Sequence, residues 1–289
     1  RAARTAMGLP TLSFSCDAMQ GFAKTIATQD KVAYLRQLLS VGFDTLDMGS
    51  FVSAKAIPQM ADTADVLGQL SLQERLAQVL VIVANERGAR EALAFSNIDY
   101  LGFPFSISET FQQRNTRAGR QQALQRVASV QEQCIMADRK MVVYLSMAFG
   151  NPYGDPYHPD EVLEWAHRLL PLGISIFSLA DTVGMASPDQ VFRLADAFIK
   201  AFPAVETGLH LHASPEGWKE KVAGGLEAGC TRFDAALGGV GGCPMATDTL
   251  VSNLPMEKLV EWLHERGYVT GIDLSQLYNA SVMAQKLFA

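Results

Sequence analysis

Residues 206–212, Glu-Thr-Gly-Leu-His-Leu-His, predict a β-strand that carries two histidines on one face. Side chains alternate between the faces of a strand, so His210 and His212 point one way and Leu209 and Leu211 the other. The chain has only five histidines, and two of them share this face. Two imidazoles side by side at a strand end can bind one metal ion. We therefore favour a ligand pair over two ordinary loop histidines.

This strand belongs to a strand–helix pattern that repeats along the chain. After it, Ser214-Pro215 predicts a helix start, an N-cap residue followed by proline at the first helical position, and Ser187-Pro188 predicts another. Ala228-Gly229 predicts a helix end, because glycine readily adopts the left-handed cap conformation. Short apolar runs between the helices predict eight buried parallel strands: Thr11–Ser15, Phe43–Met48, Gln78–Val83, Asp99–Phe103, Met141–Ser146, Ile174–Ser178, Glu206–His212 and Arg232–Leu237.

Eight strands that alternate with helices favour the α/β class and a single (β/α)8 TIM barrel. A doubly wound sheet is the alternative, but the number and even spacing of the strands favour the barrel. The 289 residues, 48% of them hydrophobic, are enough for one large core. We therefore expect one catalytic domain over residues 1–289, with an extra helix over Ile272–Leu287 at the end.

Charge and cysteine usage exclude several classes of protein. The net charge is −6 and basic residues form no long run, which argues against nucleic acid or an anionic membrane as a partner. No apolar stretch approaches the length that spans a bilayer. The four cysteines show no paired spacing, which is typical of a reducing compartment, and residues 1–7 lack the apolar core of a signal peptide. We therefore expect a cytoplasmic protein, with Cys134 and Cys230 buried.

Polar residues gather where the predicted strands end. TIM barrels carry their chemistry at the carboxyl ends of the strands. The residues at these ends include Cys16 and Asp17 after the first strand, Asp47 on the second, Ser106–Glu109 after the fourth, Asp181 and Thr182 after the sixth, and Cys243 in a glycine-rich turn after the eighth. The aspartates at positions 17, 47 and 181 and the two histidines at one face exceed what a purely structural barrel needs, so we expect an active site there.

With these residues in view, the chain resembles the 3-hydroxy-3-methylglutaryl-CoA lyases, which belong to a superfamily of metal-dependent barrels that make or break carbon–carbon bonds next to carbonyls. The similarity runs from Asp17 to the final helix. Its motifs are Gly49–Ser53, Pro58–Asp62, Ser106-x-Ser108-Glu109 with Asn115, Ser178–Gly184, the His-x-His pair and Gly241-Gly242-Cys243-Pro244. The condensing synthases of the superfamily share the His-x-His pair but typically lack the Gly-Gly-Cys-Pro turn, which favours the lyases.

The resemblance implies a divalent cation, Mg²⁺ or Mn²⁺ rather than Zn²⁺, held by Asp17, His210, His212 and Asn253. It implies an acyl-CoA or acyl-carrier thioester as substrate, and a homodimer.

The resemblance also implies roles for residues around the metal. Cys243 matches the catalytic cysteine of a mobile loop, Asp47 stands where many members have glutamate, and Asp181 is a third catalytic candidate. His210 and Asp47 are the candidate bases, although a metal-bound histidine is poorly placed for that role. For Asp181 a structural acid bonded to the backbone is the alternative. The expected substrate-binding residues are Cys16, Gln20 and Ser178.

One departure from the family pattern concerns the reaction itself. The family carries arginine immediately before the metal-binding aspartate, and Cys16 occupies that position here. In the family this arginine is expected to hold the thioester oxygen as an enolate develops, and the nearest cation in this sequence is Lys24. Three interpretations stay open: a lyase with altered rate or substrate, related carbon–carbon chemistry or condensation on another thioester in secondary metabolism, and a catalytically silent homologue.

Overall fold

The computed structural model describes residues 9–15, 17–20, 22, 24–71, 75–241 and 252–288, apart from the side chains of residues 17 and 18. Cys16 and Cys243 lie outside the described residues, as does the side chain of Asp17. Within the described ranges, no helix has both the length and the apolar character needed to cross a membrane.

Eight parallel strands close into a barrel, as the sequence predicts. They are β1 Thr11–Phe14, β2 Thr45–Ser50, β3 Gln78–Ile82, β4 Tyr100–Ser106, β5 Lys140–Ser146, β6 Ile176–Asp181, β7 Glu206–Ala213 and β8 Arg232–Ala235. Each strand pairs with its sequence neighbour, and β1 pairs with β8 to close the barrel. A short strand that the sequence did not predict, β9 at Ser252–Asn253, pairs antiparallel with the end of β7.

Helices fill the connections and cover the outside of the barrel. They are α1 Asp17–Gln20, α2 Thr28–Leu39, α3 Thr63–Gly68, α4 Glu86–Leu93, α5 Glu109–Thr116, α6 Arg120–Met136, α7 Pro159–Leu169, α8 Pro188–Ala201, α9 Trp218–Glu227, α10 Met256–Glu265 and α11 Leu274–Leu287. The last is the extra C-terminal helix that the sequence predicts. The fold is therefore a TIM barrel with an additional terminal helix.

The two predicted Ser-Pro helix starts have different outcomes. Ser187 caps α8 through a capping box with Gln190, which confirms the first. The second is wrong, because α9 begins only at Trp218. The Ser214 hydroxyl instead accepts from the Gly217 amide at 3.2 Å, and the residues between them form a turn. A serine before proline can close a turn as well as cap a helix, and the local sequence does not distinguish the two.

The barrel interior changes from apolar to polar along its axis. Near the amino ends of the strands, Leu80, Tyr100, Val142 and Ile176 form a small apolar cluster. Nearer the carboxyl ends, polar side chains such as those of Asp47, Ser178, His210 and Asp234 occupy inward positions and are largely buried. Buried polar groups need partners, so this end of the barrel is the part that carries chemistry rather than packing.

Candidate active site

A cavity of about 630 Å³ opens at the carboxyl end of the barrel. Its walls include Asp47 from β2, Tyr144 from β5, and His210 and His212 from β7. Gln20 at the end of α1 also lines it, as expected of a substrate-binding residue. Predicted residues from β2, β7 and α1 therefore converge on one space large enough for a small-molecule substrate.

The two histidines are held in a matching way. The ring centroids of His210 and His212 are 5.2 Å apart. His212 Nδ1 lies 2.8 Å from the Thr182 carbonyl, and His210 Nδ1 lies 3.3 Å from an Asp234 carboxylate oxygen. Both partners can only accept, so each Nδ1 donates, and in the neutral rings Nε2 carries the lone pair. This is the tautomer that a metal-binding histidine requires.

Asn253 lies beside His212 because β9 pairs with β7, and the two residues are register partners. Its Nδ2 donates to the Val240 carbonyl at 3.2 Å, and its backbone amide to the Gly241 carbonyl at 3.4 Å. Among the described residues, its buried Oδ1 accepts no hydrogen bond. An unsatisfied buried oxygen costs about 1–3 kcal/mol, so its retention fits a ligand role.

These donors fit a divalent cation. Two imidazole nitrogens and an amide oxygen come from adjacent strands, and Asp17 opens the helix that follows β1. The donor set suits Mg²⁺, Mn²⁺ or Zn²⁺ and does not select one of them.

Asp234 on β8 holds the ring of His210 through the hydrogen bond to Nδ1, a contact that was not predicted from the sequence. Burial alone would raise the pKa of its carboxyl, but the hydrogen bond from His210 and the charge of Arg232 outweigh burial, so the pKa is lowered. Arg232 is itself fully buried, with Nε 3.9 Å from Asp234 and Nη1 3.6 Å from Glu206. Asp234 is therefore an anion, which keeps the His210 Nδ1 proton in place.

Ser178 and Asp181 face the network around the histidines. The Ser178 hydroxyl donates to Asp234 at 3.1 Å and is completely buried, one inward position nearer the amino end than the His210 level. Asp181 accepts from Lys221 Nζ at 2.7 Å and from the Ala186 amide. Neither is among the described residues that line the cavity. These contacts fit the structural alternative for Asp181.

Asp47 is the described carboxylate that lines the cavity. It is 5% exposed, and its Oδ1 accepts from the Gly49 amide at 3.0 Å.

Cys134 and Cys230 are buried, as predicted, and burial raises the pKa of both thiols to about 12. Neither is a reactive thiolate at neutral pH.

Part of the cavity lining is cationic, and this part was not predicted from the sequence. Its residues are Lys55, Arg114, Arg117 and Arg126, which we call the cationic wall. Arg114 stacks over Tyr153, with its guanidinium carbon 4.6 Å from the ring centroid. The signal available in the sequence was the series of arginines after the fourth strand, but only the folded helices show that three of them face the cavity.

The fold and the site together define a (β/α)8 barrel with a histidine pair, a carboxylate and a cationic wall at its mouth. The chain belongs to the HMGL-like family, which matches residues 17–283. Members of this family are in general metal-dependent.

Relatives agree with this assignment. The chain is 31% identical to the hydroxymethylglutaryl-CoA lyase YngG of Bacillus subtilis, over 92% of this chain and 88% of that one. It is 30% identical to the (R)-citramalyl-CoA lyase of Chloroflexus aurantiacus, over 92% and 86%. An HMG-CoA lyase from Acinetobacter baumannii, solved with coenzyme A and 3-methylmalate, superposes with a TM-score of 0.91 at 31% identity, covering 97% of this chain and 92% of that chain.

Proposed function

We propose that the protein cleaves a 3-hydroxy-3-methylglutaryl-type acyl thioester to an acetyl thioester and acetoacetate, as a carbon–carbon lyase. The observation that carries this proposal is that His210 and His212, at the wall of the cavity and beside Asn253, each donate a hydrogen bond from Nδ1. Nε2 of each ring is then the atom that can bind a metal. In a chain about 30% identical to lyases that act on acyl-CoA, this arrangement supports a retro-Claisen cleavage.

The chain's own residues would hold the cation and orient the substrate. His210, His212 and Asn253 would ligate it together with Asp17, with Mg²⁺ or Mn²⁺ preferred. When bound, a divalent cation lowers the pKa of the substrate's tertiary hydroxyl. His210 donates the Nδ1 proton to Asp234 and would bind the cation through Nε2, so neither ring nitrogen is left to accept a proton as a base. Asp47 is the better base, because its carboxylate lies in the cavity wall.

The proton and electron movements then balance within the site. Asp47 takes the proton of the tertiary hydroxyl, the oxygen forms the ketone, and the carbon–carbon bond breaks toward the thioester, giving an enolate. Cys243 or an ordered water protonates the enolate carbon, and the proton held by Asp47 then returns to that donor, which restores both groups. Asp181 has a supporting role in this scheme, because its carboxylate is engaged by Lys221.

The cationic wall supports an anionic thioester as substrate. The phosphates of coenzyme A, or of a carrier protein's phosphopantetheine, carry negative charge at the end remote from the reacting carbons. We therefore expect the double substitution Arg114→Ala and Arg117→Ala to raise KM for the acyl-CoA by about 10-fold, with kcat little changed, since exposed charge pairs contribute about 1 kcal/mol or less each.

Steady-state kinetics at low and high salt would measure this effect. Arg193→Ala is the matched control, because Arg193 is exposed on α8 and pairs with Asp189 away from the cavity. An unchanged KM in the double variant, or an equal rise in the Arg193 variant, would remove the cationic wall from substrate binding.

Cys243 is expected to be the reactive thiol. Its place in a glycine-rich segment after β8 suits an accessible cysteine, whereas Cys134 and Cys230 are buried with a pKa of about 12. Iodoacetamide should therefore label Cys243 first in the native protein, and substrate should slow the labelling. Peptide mass spectrometry after short exposure measures the order, and prior labelling of Cys134 would contradict the assignment.

A homodimer in the cytoplasm remains our expectation. Leu274 and Tyr278 are four residues apart on α11, so they share a face, and both are exposed, as is Val269 just before the helix. Light scattering would test the oligomeric state.

The function is tested by offering the metal-loaded protein 3-hydroxy-3-methylglutaryl-CoA, citramalyl-CoA and the corresponding carrier-protein thioesters, in the cleavage and condensation directions. Acetoacetate from the first substrate supports the proposal. If product forms only from a carrier-protein thioester, the proposed substrate is wrong. If product forms only in the condensation direction, the proposed direction is wrong. A protein that binds metal but turns over none of these substrates would be a silent homologue.

A further inference from the structure

We propose that Lys221 is a positioning residue that fixes His212 for metal binding. Lys221 lies on α9, outside the barrel, and its side chain is buried. The inference rests on the proposed metal site, because it concerns how one of that site's ligands is held in place.

The ammonium of Lys221 has three partners, one for each of its protons. Nζ lies 2.7 Å from Asp181 Oδ2, 2.9 Å from the Gly184 carbonyl and 2.8 Å from the carbonyl of His212 itself. An ammonium has three donors and no acceptor, so every donor is used. Lys221 therefore has no proton left for the substrate, and it acts through the groups that it holds.

His212 is consequently fixed at both its ring and its backbone. The ring donates to the Thr182 carbonyl, while the backbone carbonyl accepts from Lys221. The ring of His212 is bonded to Thr182, and its backbone is linked through Lys221 to Asp181, the residue before Thr182. Both contacts therefore tie His212 to the carboxyl end of β6. The Thr182 hydroxyl in turn accepts from the amide of Met147, which has a left-handed φ of 58°. A residue other than glycine keeps that conformation only where its surroundings enforce it.

A purely structural role for Lys221 is the competing explanation. Asp181 is 1% exposed, and a buried carboxylate without its cation would destabilise the fold whatever happened at His212. The two explanations differ in what should happen when the charge of Asp181 is also removed. The neutral amide introduced by Asp181→Asn no longer needs a cation, but the His212 carbonyl still lacks its donor.

The experiment compares three variants with the wild type: Lys221→Met, the double variant Asp181→Asn with Lys221→Met, and Arg75→Met. Arg75 is the matched control, because it pairs at 2.6 Å with Asp99 just before β4, at the opposite end of the barrel. Mn²⁺ affinity is measured by electron paramagnetic resonance titration at a temperature where all variants are folded. Thermal unfolding is measured separately in chelator.

We expect Lys221→Met to weaken Mn²⁺ binding by about 10- to 100-fold, the usual effect of losing a group that orients a metal ligand. The double variant should recover thermal stability but keep the weakened affinity, and Arg75→Met should lose stability with unchanged affinity. Affinity that returns together with stability in the double variant would overturn the positioning role, as would wild-type affinity in Lys221→Met. A wild type that binds no Mn²⁺, Mg²⁺ or Zn²⁺ would overturn the metal site itself.

Discussion

Replacing His212 with alanine is expected to abolish tight metal binding and to lower the lyase rate by at least about 1,000-fold. The substitution removes one of the two imidazoles in the proposed metal site. A metal that activates the hydroxyl contributes several kcal/mol to the stability of the transition state, and a 1,000-fold loss of rate corresponds to ~4 kcal/mol. His212 is also 2% exposed and hydrogen-bonded to the Thr182 carbonyl, so its ring is held in a fixed position that the alanine side chain cannot supply.

The measurement is Mn²⁺ titration combined with turnover of 3-hydroxy-3-methylglutaryl-CoA. His167→Ala is the control, because His167 is an exposed histidine on α7. Thermal unfolding of the metal-free variant would show whether the loss of metal binding is confined to the site or follows from a destabilised fold. Full Mn²⁺ affinity and activity in the His212 variant would eliminate the histidine pair as the metal site.

Restoring arginine at position 16 is expected to raise the rate by two orders of magnitude or more. Cys16 immediately precedes Asp17, so its side chain belongs near the substrate if Asp17 binds the metal. A neutral thiol cannot stabilise the developing enolate as a guanidinium would, and losing one such preorganised donor costs about 3–4 kcal/mol. Cys16→Arg should therefore increase kcat, with a smaller effect on KM.

Cys16→Met is the matched control, since it adds length without charge. The YngG lyase of Bacillus subtilis, assayed in parallel, supplies the reference rate. A wild-type rate equal to that reference would refute the premise, because the cation would then be dispensable. An inactive arginine variant with intact Mn²⁺ binding would show that the pocket has been rebuilt for another substrate.

The strands were predictable because each buried parallel strand is an apolar run with its own boundaries. The eight predicted runs match β1 to β8 within a few residues at each end. β9 was missed because its two residues, Ser252 and Asn253, are too few to show any periodicity. The start of α9 was misplaced because Ser214-Pro215 is compatible with both a cap and a turn.

The site was predictable only as far as its residues follow strands directly. His210, His212 and Asp47 could be placed at the barrel mouth by that rule. The partners of the histidines could not, because Asp234 is known to face His210 only once the register of β7 and β8 is fixed. The cationic wall likewise depends on how α5 and α6 are oriented over the cavity. Lys221 lies on the outer helix α9 in the charged run Lys219-Glu220-Lys221, which ordinarily indicates a solvated surface.

The pairing of β9 with β7 fixes the position of Asn253 independently of the segment that carries Cys243, although the two residues are close in the sequence. Among the described residues, Asn253 is held by the hydrogen bond from its backbone amide to the Gly241 carbonyl and by its register with His212. The two ends of the segment between residues 241 and 252 are therefore held close together. Doubling the length of a flexible segment between two such fixed ends costs only about 0.6 kcal/mol in closure entropy. Changes in the length or sequence of the segment that carries Cys243 should therefore leave Asn253 in register with His212.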